Sequence, residues 1–253
     1  MPTDQIFAAR LSLYTRQIFR QTAVAKIEFF GSGLFAKVDG KIYLFSAAHV
    51  LDHSTEETPL FVDTGKKLVR VVGDILTSRT AYPRLRSDDR IDMAVVAFDS
   101  SIDDHLEDSP FLELRNLDVN NVTISEKGFA FMGHPESKNR KSIDEQSREI
   151  CPFLYGAMCQ EASNQQYISL GIAKASHLLL DFNKKRMMSP AGEIRIAPAL
   201  NGLSGAPIWG SDCNGNAFVA AILTEHHKGA SKSIVSTRIA AYIDAARHLA
   251  SDA

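Results

Sequence analysis

The 253-residue chain is poor in cysteine: it has three, Cys151, Cys159 and Cys213, at spacings that match no metal-binding pattern. An odd, scattered set cannot form a closed disulfide framework, so a reducing, cytoplasmic setting is expected. Long apolar runs are also missing. The longest, such as "MAVVAF" and "FVAAIL", fall far short of the roughly 20 residues that a membrane-spanning helix needs. The opening "MPTDQIFAARLSLYTRQ" has no basic stretch leading into an apolar core, so no secretory signal is expected. Charge of one sign is lacking too: 28 Lys and Arg face 30 Asp and Glu, for a net charge of −2. That balance leaves no basic footprint for nucleic acid. There is a single tryptophan, Trp209, with no internal repeat and no low-complexity tract.

What is present is mostly short, β-prone segments. "AVAKIEFF", "SGLFAKVDGKIYLFSAA", "LFVDT", "KLVRVVGDIL" and "IDMAVVAF" form one set. "VTISEKGFAFMG", "QYISLGIAKASHLLLDF", "EIRIAPAL", "NAFVAAILTE" and "KSIVST" form another. Asp39-Gly40 reads as a two-residue hairpin turn. The polar, acidic "DSSIDDHLEDSP" between the sets reads as a linker. Near-helical spacing of Ile6, Phe7, Leu11, Tyr14, Ile18 and Phe19 predicts an N-terminal helix. Ile239, Tyr242, Ile243, Ala246 and Leu249 share one face, and a cap at Ser236 or Thr237 predicts a C-terminal helix. The expected organisation is therefore a helical extension over 1–21, a first β-barrel over 22–100 and a linker over 101–118. A second barrel over 119–236 and a closing helix over 237–253 follow. Many short strands in two sets imply an all-β fold of barrels or a sandwich. The long polar stretch "HPESKNRKSIDEQSREI", residues 134–150, is a functional or mobile loop by length alone.

Three stretches carry residue types that work together: "LFSAAHVLD" with His49, "RIDMAVVAF" with Asp92 and "ALNGLSGAPIWG" with Ser204. Singly, each has a bland reading, as a strand-end histidine, a turn aspartate and a small-residue turn. Together they form a chemical set. A serine hydroxyl needs a base to take its proton during attack, and an imidazole titrates near neutral pH. A buried carboxylate fixes the imidazole tautomer. The N–H groups of Gly202 and Ser204 can then hold the charge that develops on a carbonyl oxygen.

"SAAHV", "DMAVV" and "GLSGAP" resemble the three signature blocks of the chymotrypsin/trypsin-like serine peptidases, in that family's order His, Asp, Ser. "FAFMGHP" resembles the segment opening the second barrel in bacterial members. The resemblance spans about residues 23–250. It implies two six-stranded antiparallel β-barrels, with His49 as general base, Asp92 as its orienting acid and Ser204 as nucleophile. The backbone N–H groups of Gly202 and Ser204 would form the oxyanion hole. Thr224 would pair with the substrate backbone, and Glu225 and His226 would line a wall of the primary pocket. Pro198 stands where trypsins carry a pocket-floor acid, so selectivity for Arg or Lys from that source is absent and a small or apolar residue is expected there.

Other departures bear on regulation. Val50 and Leu200 stand where secreted members carry cysteines. Leu203 stands where secreted zymogens carry the acid that binds a newly cut N-terminus. Activation by that route is not expected. The polypeptide substrate is the one partner implied directly, and residues 1–21 or the 134–150 loop are candidate contacts for a protein activator or regulator. Neither nucleic acid nor membrane is expected as a partner, and no cofactor or metal is implied. Two alternatives stay open: a catalytically silent fold of this type acting as a protein-binding module, or a serine esterase. A Gly-x-Ser elbow of the α/β-hydrolase kind fits poorly, because "APIWGSDCNG" does not read as the helix that must follow.

Overall fold

The computed structural model describes residues 11–24, 26–52, 54–79, 85–99, 103–106, 109–120, 128–143, 149–189, 192–227 and 233–251. Two antiparallel sheets, each curled on itself, fill most of the chain, and the fold is the chymotrypsin-like double β-barrel.

The first sheet is built from β1 (Thr15–Gln21), β2 (Ile27–Val38), β3 (Lys41–Ala47), β4 (Leu60–Asp63), β5 (Leu68–Arg70), β6 (Gly73–Thr77) and β7 (Met93–Phe98). Their order is β5-β4-β1-β2-β3-β7-β6. β5 and β6 sit at opposite edges of that order yet lie three residues apart in sequence, so the chain itself closes the barrel. The β2–β3 turn has Asp39 at φ 49° and Gly40 at φ 92°. Both lie in the left-handed region, as a type I′ hairpin turn requires.

The linker is more ordered than its polar composition suggests. It holds the single turn α2 (Asp103–Leu106), which follows α1 (Ala48–Leu51) in chain order, and the strand β8 (Leu112–Glu113). β8 pairs parallel with β2 through Ala36 and Lys37.

The second sheet contains β9 (Phe129–Gly133), β10 (Tyr155–Cys159), β11 (His177–Asp181), β12 (Met187–Met188), β13 (Ile194–Arg195), β14 (Pro207–Ser211), β15 (Ala217–His227) and β16 (Ser233–Arg238). Its order is β11-β16-β15-β14-β9-β10-β12-β13. The backbone bonds Ala162 N to Leu179 O and Asp181 N to Gln160 O join the end of β10 to β11 and close this barrel. Two- and three-residue strands such as β5, β8, β12 and β13 bring each sheet to eight strands, beyond the six expected. Two short helices, α3 (Glu136–Asn139) and α4 (Asn164–Leu170), decorate this half, and α5 (Ile239–Ser251) closes the chain.

The N-terminal reading needs correction. Residues 15–21 form a strand, not a helix, and residues 1–10 lie outside the described residues. β1 lies between β2 and β4, and Thr15, Arg16, Gln17, Ile18 and Phe19 are all buried. Burial on both faces hides the alternation that marks a strand. A bulge between Ile18 and Phe19 shifts the register as well, so the apolar positions mimic helical spacing.

Each barrel has its own apolar interior. Ile18, Phe35, Leu44 and Val96 belong to the first, and Phe131, Leu180, Leu203 and Ile208 to the second. A third cluster joins the barrels and receives Tyr242 and Ile243 of α5. Trp209 belongs to this shared cluster and not to the second barrel's own core, and its ring lies 6.0 Å from that of Tyr14. Among the described residues, no helix is long and apolar enough to cross a membrane.

Candidate active site

β3 runs directly into α1, the single turn that carries His49. The β3–β7 register pairs Ala47 with Met93. Asp92, just before β7, therefore faces the start of α1. It makes three bonds there. Its backbone oxygen accepts from Ala48 N at 2.9 Å. Oδ1 accepts from His49 N at 2.9 Å, and Oδ2 lies 2.6 Å from His49 Nδ1. A carboxylate can only accept, so Nδ1 carries the proton and a neutral ring leaves Nε2 with its lone pair. The Asp92 side chain is 12% exposed and that of His49 is 42% exposed, so the imidazole is anchored inside and open outside. Asp92 holds φ 44°, a conformation that Asp tolerates better than most residues. The segment before it is held from the other barrel: His177 Nε2 donates to Arg90 O at 2.9 Å, and Thr237 Oγ1 donates to Ile91 O.

Ser204 lies on the turn between the Leu200–Leu203 corner and β14. Leu203 N donates to Leu200 O at 3.0 Å. Gly202 has φ +86°, whereas Asn201 has no positive φ. A positive φ at the third residue alone defines a type II turn. A trans peptide points its C=O and N–H in opposite directions. Asn201 O accepts from Glu136 N at 2.7 Å, so the Gly202 N–H faces away from α3. Neither the Gly202 nor the Ser204 N–H donates to another backbone group among the described residues.

The loop is stitched to the first barrel. Ser32 N donates to Ser204 O at 2.9 Å, and Ser32 Oγ donates to Gly202 O at 2.8 Å. Ser46 Oγ, three residues before His49, donates to Ser32 O at 2.7 Å. Gly205, at φ +89°, is pressed so close that an added Cβ would stand 1.8 Å from Ser32 O.

Ser204 Oγ donates to Thr224 O at 3.4 Å, a long bond. Among the described residues no hydrogen bond joins it to His49. Thr224 is buried at a bulge where the β15–β16 register shifts between Leu223 and Glu225. Its Oγ1 donates to Val235 O at 3.2 Å. Glu225 is exposed, and Pro198 is half-buried in a segment without regular secondary structure. His226 is on β15 opposite Ile234, and its side chain lies outside the description. The structure thus joins His49 to Asp92 directly, and brings the Ser204 loop onto β2, whose Ser32 is bonded in turn by Ser46 of the strand that leads to His49. Among the described residues no group of three His, Cys, Asp or Glu side chains could hold a metal ion.

Several residues at this site have little sequence signature. Ser32 is fully buried, and its only outward mark is the Gly31-Ser32-Gly33 run. Asn139, also fully buried, donates through Nδ2 to Pro135 O (2.8 Å) and Phe153 O (2.9 Å). Its Oδ1 accepts from Phe153 N (2.8 Å) and Gln17 Nε2 (3.0 Å). His134 is buried beside them, and Nδ1 lies 3.2 Å from Phe153 O. Burial pushes its imidazole down to about 4, aided by nearby Arg16 and opposed by its bonds to the Phe153 and Thr15 backbone.

No protein-family profile matches the chain, and no curated protein matches it in sequence. Solved structures do. A thermostable serine protease from an extremophilic microorganism is similar over 95% of this chain and 98% of its own, at 11% identity and TM-score 0.52. A scabies mite inactivated protease paralogue is similar over 95% of this chain and 94% of its own, at 13% identity and TM-score 0.55. These likenesses show the fold. Because one of the two is an inactivated paralogue, the fold alone does not decide activity, and that question belongs to the side chains of the site.

Proposed function

We propose that the chain is a serine endopeptidase working through an acyl-enzyme. The observation that carries this reading is the bond of His49 Nδ1 to Asp92 Oδ2 at 2.6 Å, which leaves Nε2 free to act as a base. Ser204 Oγ leaves its long bond to Thr224 O and passes its proton to His49 Nε2 as it attacks the substrate carbonyl. Asp92 stabilises the imidazolium. The Gly202 and Ser204 N–H groups receive the developing oxyanion, an interaction worth about 3 kcal/mol per donor in the transition state. His49 then donates its proton to the leaving amine. Water, activated by the same imidazole, releases the acyl group.

A peptide is favoured over a simple ester as substrate because Thr224 is unpaired in the β15–β16 register and its carbonyl lies 3.4 Å from Ser204 Oγ, the attacking atom. An extended chain can use that carbonyl for main-chain pairing. Pro198 and Ala197 at the pocket floor carry no charge, which suits a small or apolar side chain before the scissile bond. Three unpaired cysteines suit a reducing compartment such as the cytoplasm. A second reading, a silent fold that binds proteins, draws on the absent Ser204–His49 bond. Fluorophosphonate labelling separates the two. The peptidase reading expects a stable adduct on the wild type and none on Ser204→Ala; an unlabelled wild type overturns it.

A further inference from the structure

The buried acid that secreted zymogens place before the nucleophile is absent here, and Leu203, fully buried, stands in its place. Something else must keep the type II turn from reverting. A type I turn differs by a half-rotation of the central peptide, which would swing the Gly202 N–H away from the oxyanion. Two carbonyls act as handles against that rotation. Asn201 O is held by Glu136 N at 2.7 Å. Gly202 O is held by Ser32 Oγ at 2.8 Å.

Both handles lead back to the first barrel. Ser32 belongs to β2, and the same hydroxyl accepts from His134 N at 3.3 Å. Glu136 opens α3, whose last residue, Asn139, fixes Pro135 through Pro135 O and is itself gripped by Gln17 of β1 at 3.0 Å. Ser32, Gln17 and Asn139 are each fully buried. Thr15 Oγ1 adds a bond from β1 to Met132 O at 3.2 Å.

We infer that Ser32 and the Gln17–Asn139 pair are positioning residues that set the oxyanion turn from the first barrel, in place of an activation-linked acid. This rests on the peptidase reading. The turn is then competent in the folded chain, with no cut N-terminus required. Residues 15–17 supply the ordering contact from within the chain.

The test uses the full chain with Ser32→Ala, Gln17→Leu and Asn139→Ala. Four quantities are read: kcat per titratable site, KM, affinity for a peptide boronate and thermal midpoint. A boronate forms a tetrahedral adduct that needs the oxyanion donors, whereas KM reflects ground-state contacts. The expected result is a fall of about 10- to 100-fold in kcat and boronate affinity together, with KM within about two-fold. Ser32→Ala should show the larger fall. Should Ser32→Ala not fold, the other two variants give the same split. An active wild type whose variants lose only thermal midpoint, or lose KM and kcat without boronate affinity, overturns the positioning role alone. A wild type that neither labels with fluorophosphonate nor turns over substrate overturns the peptidase reading, and this inference with it.

Discussion

The two halves of the candidate site are held by different means. The acid–base half is gripped mainly by a side chain: the Asp92 carboxylate makes two bonds to His49, and its backbone oxygen takes a third from Ala48, all inside the first barrel. The nucleophile half is gripped by its own backbone carbonyls, at Asn201, Gly202 and Ser204, and Ser32 alone takes two of the three. Reinforcement crosses over as well. The second barrel's His177 and Thr237 hold the segment before Asp92, and the first barrel's Ser32 holds the loop of Ser204. A side-chain grip is specific to residue type. A backbone grip is specific to shape, and tolerates any residue that permits the turn.

The largest expected effect comes from breaking the side-chain grip. Asp92→Asn keeps the shape but presents His49 with the wrong hydrogen-bond partner. We expect kcat to fall about ten-thousand-fold with the thermal midpoint nearly unchanged, checked by steady-state kinetics beside thermal unfolding.

Next comes Leu203→Asp, which restores the acid of a secreted zymogen to a loop built without it. Leu203 is fully buried in the second barrel's apolar interior. An unpaired carboxylate there costs about 4 kcal/mol, or roughly 10 °C of thermal midpoint. A variant as stable as the wild type would mean that a cation reaches this position.

Gly202→Ala strikes the backbone grip. Its Cβ would stand 2.6 Å from the Phe29 ring and 2.8 Å from both Glu136 N and His134 O, at a φ of +86°. The turn must give way, and kcat should drop by about 100- to 1000-fold. A boronate binding as tightly as to the wild type would contradict the type II assignment.

The smallest effect is a pH dependence of stability. His134 is held neutral, with its pKa lowered from 6.5 to about 4 by burial. The unfolded chain binds this proton more readily than the folded one. The contribution is therefore complete above about pH 6.5 and is lost as the pH falls toward 4. At pH 5 the loss is about 2 kcal/mol. Chemical denaturation of the wild type against His134→Gln should show that extra loss between pH 7 and 5 in the wild type only.

The same contrast explains what the sequence made legible. His49, Asp92 and Ser204 stand out because side-chain chemistry demands those residue types, in blocks that resemble a known family. Asp39-Gly40 stands out because its turn demands left-handed φ. Ser32, Gln17 and Asn139 were invisible because their partners are backbone atoms or residues more than 100 positions away. β1 was misread for a related reason. Thr15 and Gln17 are buried against the second barrel, and Arg16 against Phe35 and the linker's Pro110, which erases the alternation that marks a surface strand. The place of Trp209 in the shared cluster was not legible either, because one sequence pattern serves either face of β14.

The central claim is that each barrel sets the other's catalytic loop, so that the folded chain is competent by itself. The direct measurement is a stopped-flow reaction of the purified, uncleaved chain with an excess of p-nitrophenyl acetate. We predict an immediate burst of about one nitrophenolate per chain, absent in Ser204→Ala. A lag, or a burst that appears only after N-terminal cleavage or addition of another protein, would contradict the account.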